Sequence, residues 1–122
     1  MKHTLYISQR SPFARRVRLV LEELGVDYDT EVLDVFNLPP GYAGINPLGR
    51  VPVLRLPNQE LIVDSWMILD YLRSRHEEHP LFLTGGASDA RSRSISGIAV
   101  GVMEHTVLAF LENMRGPGLT LP

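Results

Sequence analysis

Hydrophobic spacing alternates between a strand pattern and a helix pattern along the first third of the chain. Residues 3–8 and 27–35 alternate as strands do. Between them, Ser11-Pro12 has the composition of a helix start and Gly25 that of a helix end. A strand, a helix and a second strand in this order predict a right-handed parallel unit. The residues of the second strand expected in the core are Tyr28, Val32 and Leu33.

The next segment predicts a hairpin and a second helix. Residues 36–50 are dense in proline and glycine, which is typical of a loop or a short irregular helix. Residues 51–56 and 60–63 read as two strands joined by a tight turn, and Asp64-Ser65 caps the helix that follows. The predicted fold class is α/β, with a four-stranded mixed sheet (βαβ then ββα) complete near residue 82.

Residues 83–122 follow a different pattern, which predicts a second unit made of one long helix and a tail. We expect the helix at about residues 88–114, with Ser88 as its N-cap, and a loose tail after it. Its apolar residues form a broad stripe, which is too wide to be covered by the sheet unit alone and predicts a partner. The members of the stripe are Ile95, Ile98, Ala99, Val102, Met103, Thr106, Val107, Phe110, Leu111 and Met114.

Composition excludes several classes of function. The 122 residues contain no cysteine, which excludes disulfides, thiolate metal sites and redox chemistry of the protein's own thiols. The formal net charge of −2 argues against general nucleic-acid binding. His76 and His79 lie at the polar end of a helix, and we expect no metal there. No uninterrupted run of eighteen apolar residues occurs, so we expect no membrane span, and residues 1–8 lack the apolar stretch of a secretory signal.

The segment Ser11-Pro12-Phe13 is the first candidate site. A strand-to-helix junction directs backbone amides and a partial positive charge outward, which would stabilise a thiolate or another anion. Ser11 could donate a hydrogen bond to that anion, or it could be only an N-cap. Ser11 is a poor nucleophile because no histidine base can be assigned near it.

Two further junctions could bind a ligand. A cis Val51-Pro52 bond would expose the backbone of Val51, although cis bonds are uncommon. Asp64 could accept a ligand ammonium while Ser65 and the helix amides take a carboxylate, or the pair could be a plain helix cap. Arg50 could pair with a ligand carboxylate.

Several arginines follow the first strand. We expect them to form a solvated helix face that could also raise the positive potential beside Ser11. They are Arg10, Arg15, Arg16 and Arg18.

Together these motifs resemble the N-terminal, thioredoxin-like domain of the glutathione S-transferase superfamily. The resemblance covers about residues 3–82 and consists of SPFARRVRLVLEELGVDYD, NPLGRVPVL and DSWMILDYL, in that order. It implies that the chain is truncated: residues 1–82 would be the glutathione-binding domain, and residues 83–122 would hold the first helix of an all-helical C-terminal domain.

The resemblance also assigns roles to the candidate residues. Ser11 matches the serine or cysteine that faces the glutathione sulfur, and Phe13, beside it, is expected among the glutathione-binding residues. Val51 and the cis-proline Pro52 match the backbone that holds the cysteinyl part. Asp64 and Ser65 match the acidic-serine pair that holds the γ-glutamyl end, although glutamate is more usual than aspartate. Arg50 matches a position near the glycyl carboxylate.

The function implied is glutathione binding and thiolate stabilisation for attack on an electrophile. Glutathione would be a co-substrate, and no metal is implied. Turnover is doubtful without most of the C-terminal domain. The alternative is a non-catalytic, protein-binding member of the stringent-starvation type, while glutaredoxin chemistry is removed by the lack of cysteine. The resemblance further implies a cytoplasmic homodimer that binds neither nucleic acid nor membrane.

Overall fold

The computed structural model describes residues 2–82, 86–116 and 118. The chain divides into two compact units, residues 1–82 and residues 83–122, and each is described by itself. Among the described residues, the first unit contains four strands, two α-helices and one 3-10 helix, and the second contains one α-helix. In chain order the elements are β1 (His3–Ile7), α1 (Pro12–Leu24), β2 (Tyr28–Val32), a 3-10 helix (Tyr42–Gly44), β3 (Val53–Arg55), β4 (Leu61–Val63), α2 (Ser65–Arg75) and α3 (Gly86–Asn113).

The strands form one mixed sheet in the order β2-β1-β3-β4. Strand β1 pairs parallel with β2 and antiparallel with β3, and β3 pairs antiparallel with β4. This confirms the predicted sheet of a parallel strand–helix–strand unit followed by a hairpin and a helix. The strands are shorter than expected, since the ends of the apolar runs continue into turns.

Helix α1 begins and ends where the sequence indicated. Ser11 is its N-cap, and Gly25 closes it in the left-handed conformation at φ 68°, with its amide bonded to the last turn. The apolar face of α1 and that of α2 cover one face of the sheet. The fully or nearly buried residues of this core are Leu5, Ile7, Ala14, Val17, Leu21, Leu54, Leu56, Ile68 and Leu72.

The opposite face of the sheet carries a smaller core. Tyr6 and Val53 alternate along their strands with residues of the larger core, so their side chains lie on the other side. Tyr42, from the 3-10 helix, packs there in a T-shaped arrangement with Tyr6, and the ring centroids are 6.2 Å apart. The proline- and glycine-rich segment of residues 36–50 therefore covers this face of the sheet.

Strand β2 is less buried than its sequence suggested. We expected Val32 in the core, but its side chain is 53% exposed. The expectation was wrong because β2 is an edge strand with β1 as its single neighbour in the sheet. Tyr28 and Leu33, the other two expected core members, are half-buried.

Helix α3 starts at Gly86, so Ser88 lies inside it rather than at its N-cap. Most of the expected tail lies outside the described residues. By length and composition alone, segment Asp89–Asn113 could cross a membrane, since it contains an 18-residue window with a mean hydropathy of 1.5. Length and composition alone do not decide whether a helix spans a membrane, so the expectation of no membrane span stays a prediction. A core helix of a soluble protein meets the same criterion.

Candidate functional site

The strand register brings the three candidate junctions to one end of the sheet. Tyr6 near the end of β1 pairs with Val53 at the start of β3, and Val53 pairs with Val63 at the end of β4. The segments that follow β1, precede β3 and follow β4 therefore leave the sheet side by side. Neighbouring strands lie about 4.8 Å apart, so the outer two junctions are separated by roughly 10 Å.

Ser11 lies at the first junction as the N-cap of α1. Its Oγ accepts a hydrogen bond of 3.1 Å from the amide of Ala14, and the residue is half-buried. The expected cap is thus present. A hydroxyl that accepts one bond can still donate its hydrogen, and the helix N-terminus adds partial positive charge at the same point. Phe13 lies half-buried in the first turn behind it.

Val51 and Pro52 form the second junction, and the peptide bond between them is cis, as the sequence led us to consider. Pro52 is buried and Val51 is half-buried. The side chain of Arg50 is exposed, whereas its carbonyl oxygen accepts two hydrogen bonds. These two hydrogen bonds therefore fix the backbone of Arg50, which precedes the cis bond.

The two donors to that carbonyl were missed by the sequence analysis. The hydroxyl of Tyr42 donates at 2.7 Å and Nδ2 of Asn46 at 3.0 Å, and both side chains are buried. Asn46 also accepts from the amide of Leu48 at 3.0 Å, which closes a local turn. The sequence offered one signal for them, the pair Asn46-Pro47 between glycines, which is typical of a turn. Burial, and secondarily Tyr6, raises the pKa of Tyr42 to about 12.

Asp64 and Ser65 form the third junction. Asp64 is exposed and caps α2 by accepting a hydrogen bond of 3.0 Å from the amide of Trp66. Its backbone has φ 79° and ψ 133°, a region that residues other than glycine rarely adopt. Ser65 begins the helix and is only 2% exposed.

Arg16 does not lie on the solvated face of α1, where we expected it. It is half-buried, and its guanidinium donates to Oγ of Ser65 from Nε at 3.1 Å and from Nη2 at 2.7 Å. The guanidinium carbon also lies 4.9 Å from the ring centroid of Trp66. Burial lowers the pKa of Arg16, and the nearby charge of Asp64 opposes this. The expectation was wrong because the start of α2 packs against this side of α1.

Arg15 and Arg18 lie on the solvated face, as expected. They border an open groove of about 240 Å³. Ser11 is the candidate site residue that lines this groove. The other lining residues are Ser8, Gln9, Leu19 and Glu22.

His76 and His79, which lie three residues apart in the sequence, each contact nearby backbone groups just after α2. Nδ1 of His76 lies 3.0 Å from the carbonyl oxygen of Leu72, and Nδ1 of His79 accepts from the amide of Leu81 at 3.1 Å. Within residues 2–82, 86–116 and 118, no group of three or more His, Cys, Asp or Glu side chains is placed to hold a metal ion.

The family model described as "Glutathione S-transferase, N-terminal domain" matches residues 5–80. Among curated relatives, the maleylacetoacetate isomerase of Pseudomonas aeruginosa is 31% identical over 99 residues, which is 77% of this chain and 47% of the relative. A stringent starvation protein A homologue of Histophilus somni is 31% identical over 90 residues, 74% of this chain and 42% of the relative. The chain thus spans about half the length of the curated relatives it matches.

The solved structures most similar in fold include glutathione transferases. A glutathione S-transferase from Methylobacillus flagellatus, determined with GSH bound, matches 98% of this chain and 59% of its own, with a TM-score of 0.85 and 33% identity. A glutathione transferase family member from Pseudomonas fluorescens, with bound glutathione, matches 95% and 59%, with a TM-score of 0.80 and 33% identity.

Proposed function

Because the chain belongs to the glutathione S-transferase family through its N-terminal domain, we propose that its sheet end binds glutathione and stabilises the thiolate. The observation that carries the proposal is the alignment of three junctions along one sheet end. The first and third junctions are roughly 10 Å apart, so one ligand of the size of a tripeptide can reach all three.

Each part of glutathione would meet a group of matching chemistry. The exposed carboxylate of Asp64 accepts from the γ-glutamyl ammonium. The backbone of Val51 pairs with the cysteinyl backbone, as a strand edge pairs with an extended peptide. The exposed guanidinium of Arg50 pairs with the glycyl carboxylate. These contacts direct the cysteinyl sulfur towards Ser11.

The chemistry proposed is activation of the thiol. The thiol loses its proton to solvent, and the thiolate is stabilised by the Ser11 hydroxyl and by the positive end of α1. The thiolate then forms a carbon–sulfur bond with an electrophile, whose displaced electron pair leaves with a group or moves to a neighbouring atom. A serine at position 11 cannot form a mixed disulfide, so thiol exchange through the protein is not part of the proposal.

Calorimetry with glutathione tests the binding step. We expect binding that weakens strongly in Asp64→Ala and remains close to wild type in Asp70→Ala, which removes another exposed carboxylate of α2. Thiolate absorbance of the bound ligand tests the activation step. Ser11→Ala should raise the pKa of the bound thiol, and an unchanged pKa and turnover would contradict the role of Ser11.

A second candidate is a non-catalytic, protein-binding role. It is favoured by the similarity to the stringent starvation protein A homologue and by the large exposed apolar side chains of α3. Such a protein would hold a protein partner without measurable glutathione affinity. The calorimetric titration therefore separates the two candidates.

We also propose that the protein self-associates and acts in the cytoplasm. Several apolar side chains of α3 are more than half exposed, and a second copy could cover them. They are Ile95, Ile98, Val102 and Leu108. Light scattering at micromolar concentration tests association, and a monodisperse monomer would contradict it. Cell fractionation tests the location.

A further inference from the structure

The groove that Ser11 lines follows one face of α1. Its lining residues from the helix and its cap recur about every three or four positions, so they share one side of the helix. They are Ser11, Arg15, Arg18, Leu19 and Glu22. At a rise of about 1.5 Å per residue, Arg15 lies roughly 6 Å along the helix axis from Ser11, and Glu22 roughly 16 Å. The groove therefore starts at the residue proposed to face the sulfur and leads away from it.

Positive charge dominates the end of the groove beside Ser11. Arg15 is exposed, and no acidic side chain within residues 2–82, 86–116 and 118 pairs with it. The first turn of α1 contains no acidic residue, so nothing in that turn offsets the positive end of the helix dipole. This end of the groove is therefore suited to an anion.

The far end of the groove is already occupied by contacts within the protein. Glu22 accepts a hydrogen bond of 2.7 Å from the hydroxyl of Tyr28, and Arg18 also interacts with that hydroxyl. The carboxylate of Glu22 repels an anion at this end. Arg15 is therefore the cation of the groove that is left for a ligand.

We propose that this groove receives the electrophile, and that Arg15 selects electrophiles that carry an anionic group such as a carboxylate. The proposal rests on the proposed function, because the electrophile must lie beside the sulfur at Ser11. Sites for apolar ligands are lined mostly by apolar side chains. Among the described residues that line this groove, Leu19 alone is apolar, so an uncharged aromatic electrophile gains little here, whereas an anion meets an unpaired guanidinium.

A solvated surface charge without a binding role makes a different prediction. Many exposed arginines contribute nothing measurable to a specific contact. In that case the removal of Arg15 would act through the net charge alone, and any other exposed arginine would have the same effect. A binding role depends on the group that lies beyond the sulfur, and it is specific to Arg15.

The experiment uses two glutathione conjugates, because their binding requires no turnover. S-(4-carboxybenzyl)glutathione carries the additional anion, and S-(4-carbamoylbenzyl)glutathione has nearly the same shape without the charge. Calorimetry at low ionic strength should show that wild type binds the carboxybenzyl conjugate about fivefold more tightly, as expected for a partly exposed ion pair. In Arg15→Gln the two Kd values should agree within about twofold.

Two variants and a salt series are the controls. Arg75→Gln removes the same charge from an exposed position at the end of α2, and it should keep the wild-type preference. Arg15→Lys keeps the charge and should retain most of the preference. Added salt should reduce the preference of wild type, since it screens an exposed pair.

Equal Kd values for the two conjugates in wild type would overturn the role of Arg15 while glutathione binding stands. A preference that persists in Arg15→Gln, or that is lost equally in Arg75→Gln, would overturn it as well. Failure of the proposed function has a separate signature, which is wild-type protein that binds neither glutathione nor either conjugate. That result would reject both proposals.

Discussion

The hydroxyl of Tyr42 donates a 2.7 Å hydrogen bond to the carbonyl oxygen of Arg50, two residues before the cis-proline. Both the donor ring and the second donor, Asn46, are buried. We expect Tyr42→Phe to lower the free energy of unfolding by about 1 kcal/mol, the usual net value of such a bond. Urea denaturation measures this. Tyr71→Phe, a half-buried ring of α2, should change stability by less than about 0.5 kcal/mol.

The same tyrosine predicts a loss of stability in alkali. The pKa of Tyr42 is raised from 10.0 to about 12 by burial. Between these values the unfolded chain releases the phenolic proton and the folded chain keeps it, so the free energy of unfolding falls as the pH rises. Denaturation at a series of alkaline pH values should show a shallower fall in Tyr42→Phe than in wild type. Equal slopes would show that Tyr42 titrates alike in both states.

The side-chain contacts of the loop that carries these residues could not be predicted from the sequence. Proline and glycine identified residues 36–50 as irregular, and Val51-Pro52 was singled out within the family motif. The role of Tyr42 could not be foreseen, because it depends on the path of a loop without periodicity. Asn46 looked like a turn residue, and it also supports the Arg50 carbonyl.

Asp64 combines a strained backbone with an exposed carboxylate. A non-glycine residue at φ 79° and ψ 133° costs about 1–3 kcal/mol, whereas glycine at an N-cap position loses only a few tenths. We expect Asp64→Gly to raise the melting temperature by several degrees and to weaken glutathione binding. Thermal denaturation and calorimetry on the same samples measure the two effects.

Asp64→Asn is the control for that variant. Asparagine keeps the cap and tolerates positive φ better than most residues, so stability should remain near wild type. Binding of the ligand ammonium should still weaken because the charge is gone. A glycine variant less stable than wild type would show that the backbone at this position is not strained.

The cap role of Ser11 and its proposed role in stabilising a thiolate can be separated. Ser11→Ala removes the cap of α1 and should cost about 1 kcal/mol of stability. Ser11→Asp keeps a capping oxygen, so stability should be retained, but it adds a negative charge and lacks the hydroxyl donor. The pKa of the bound thiol should therefore rise in both variants, and thiolate absorbance measures it. Ser11→Thr should keep both the cap and the donor.

The main core depends on β3. Leu54 is fully buried and belongs to the cluster between the sheet, α1 and α2. Leu54→Ala should lower the free energy of unfolding by about 2–5 kcal/mol, since it leaves a cavity in a packed site. Leu19→Ala, at a side chain 58% exposed on α1, should change it by less than about 0.5 kcal/mol. Guanidinium denaturation of both variants measures the contrast.

The order of elements and the caps of α1 and α2 were predictable, because local spacing and single residues such as Ser11 and Gly25 determine them. The environments of Arg16 and Val32 were not. Arg16 lies between the buried residues Ala14 and Val17, at the border of the buried face of α1. Its partner Ser65 lies 49 positions away in the sequence. Val32 has an apolar side chain in a strand whose position at the sheet edge depends on the whole topology.

The exposed position of β2 affects how the protein resists aggregation. An edge strand offers unpaired backbone groups to the same edge of another molecule. Here that edge presents Asp29 and Glu31, with Asp27 just before it. Lys2, which directly precedes β1, pairs with Asp27 and Asp29. Two copies joined through β2 would bring acidic groups together. The remaining free edge, β4, has only three residues, so strand-to-strand fibre growth is opposed at both sides of the sheet.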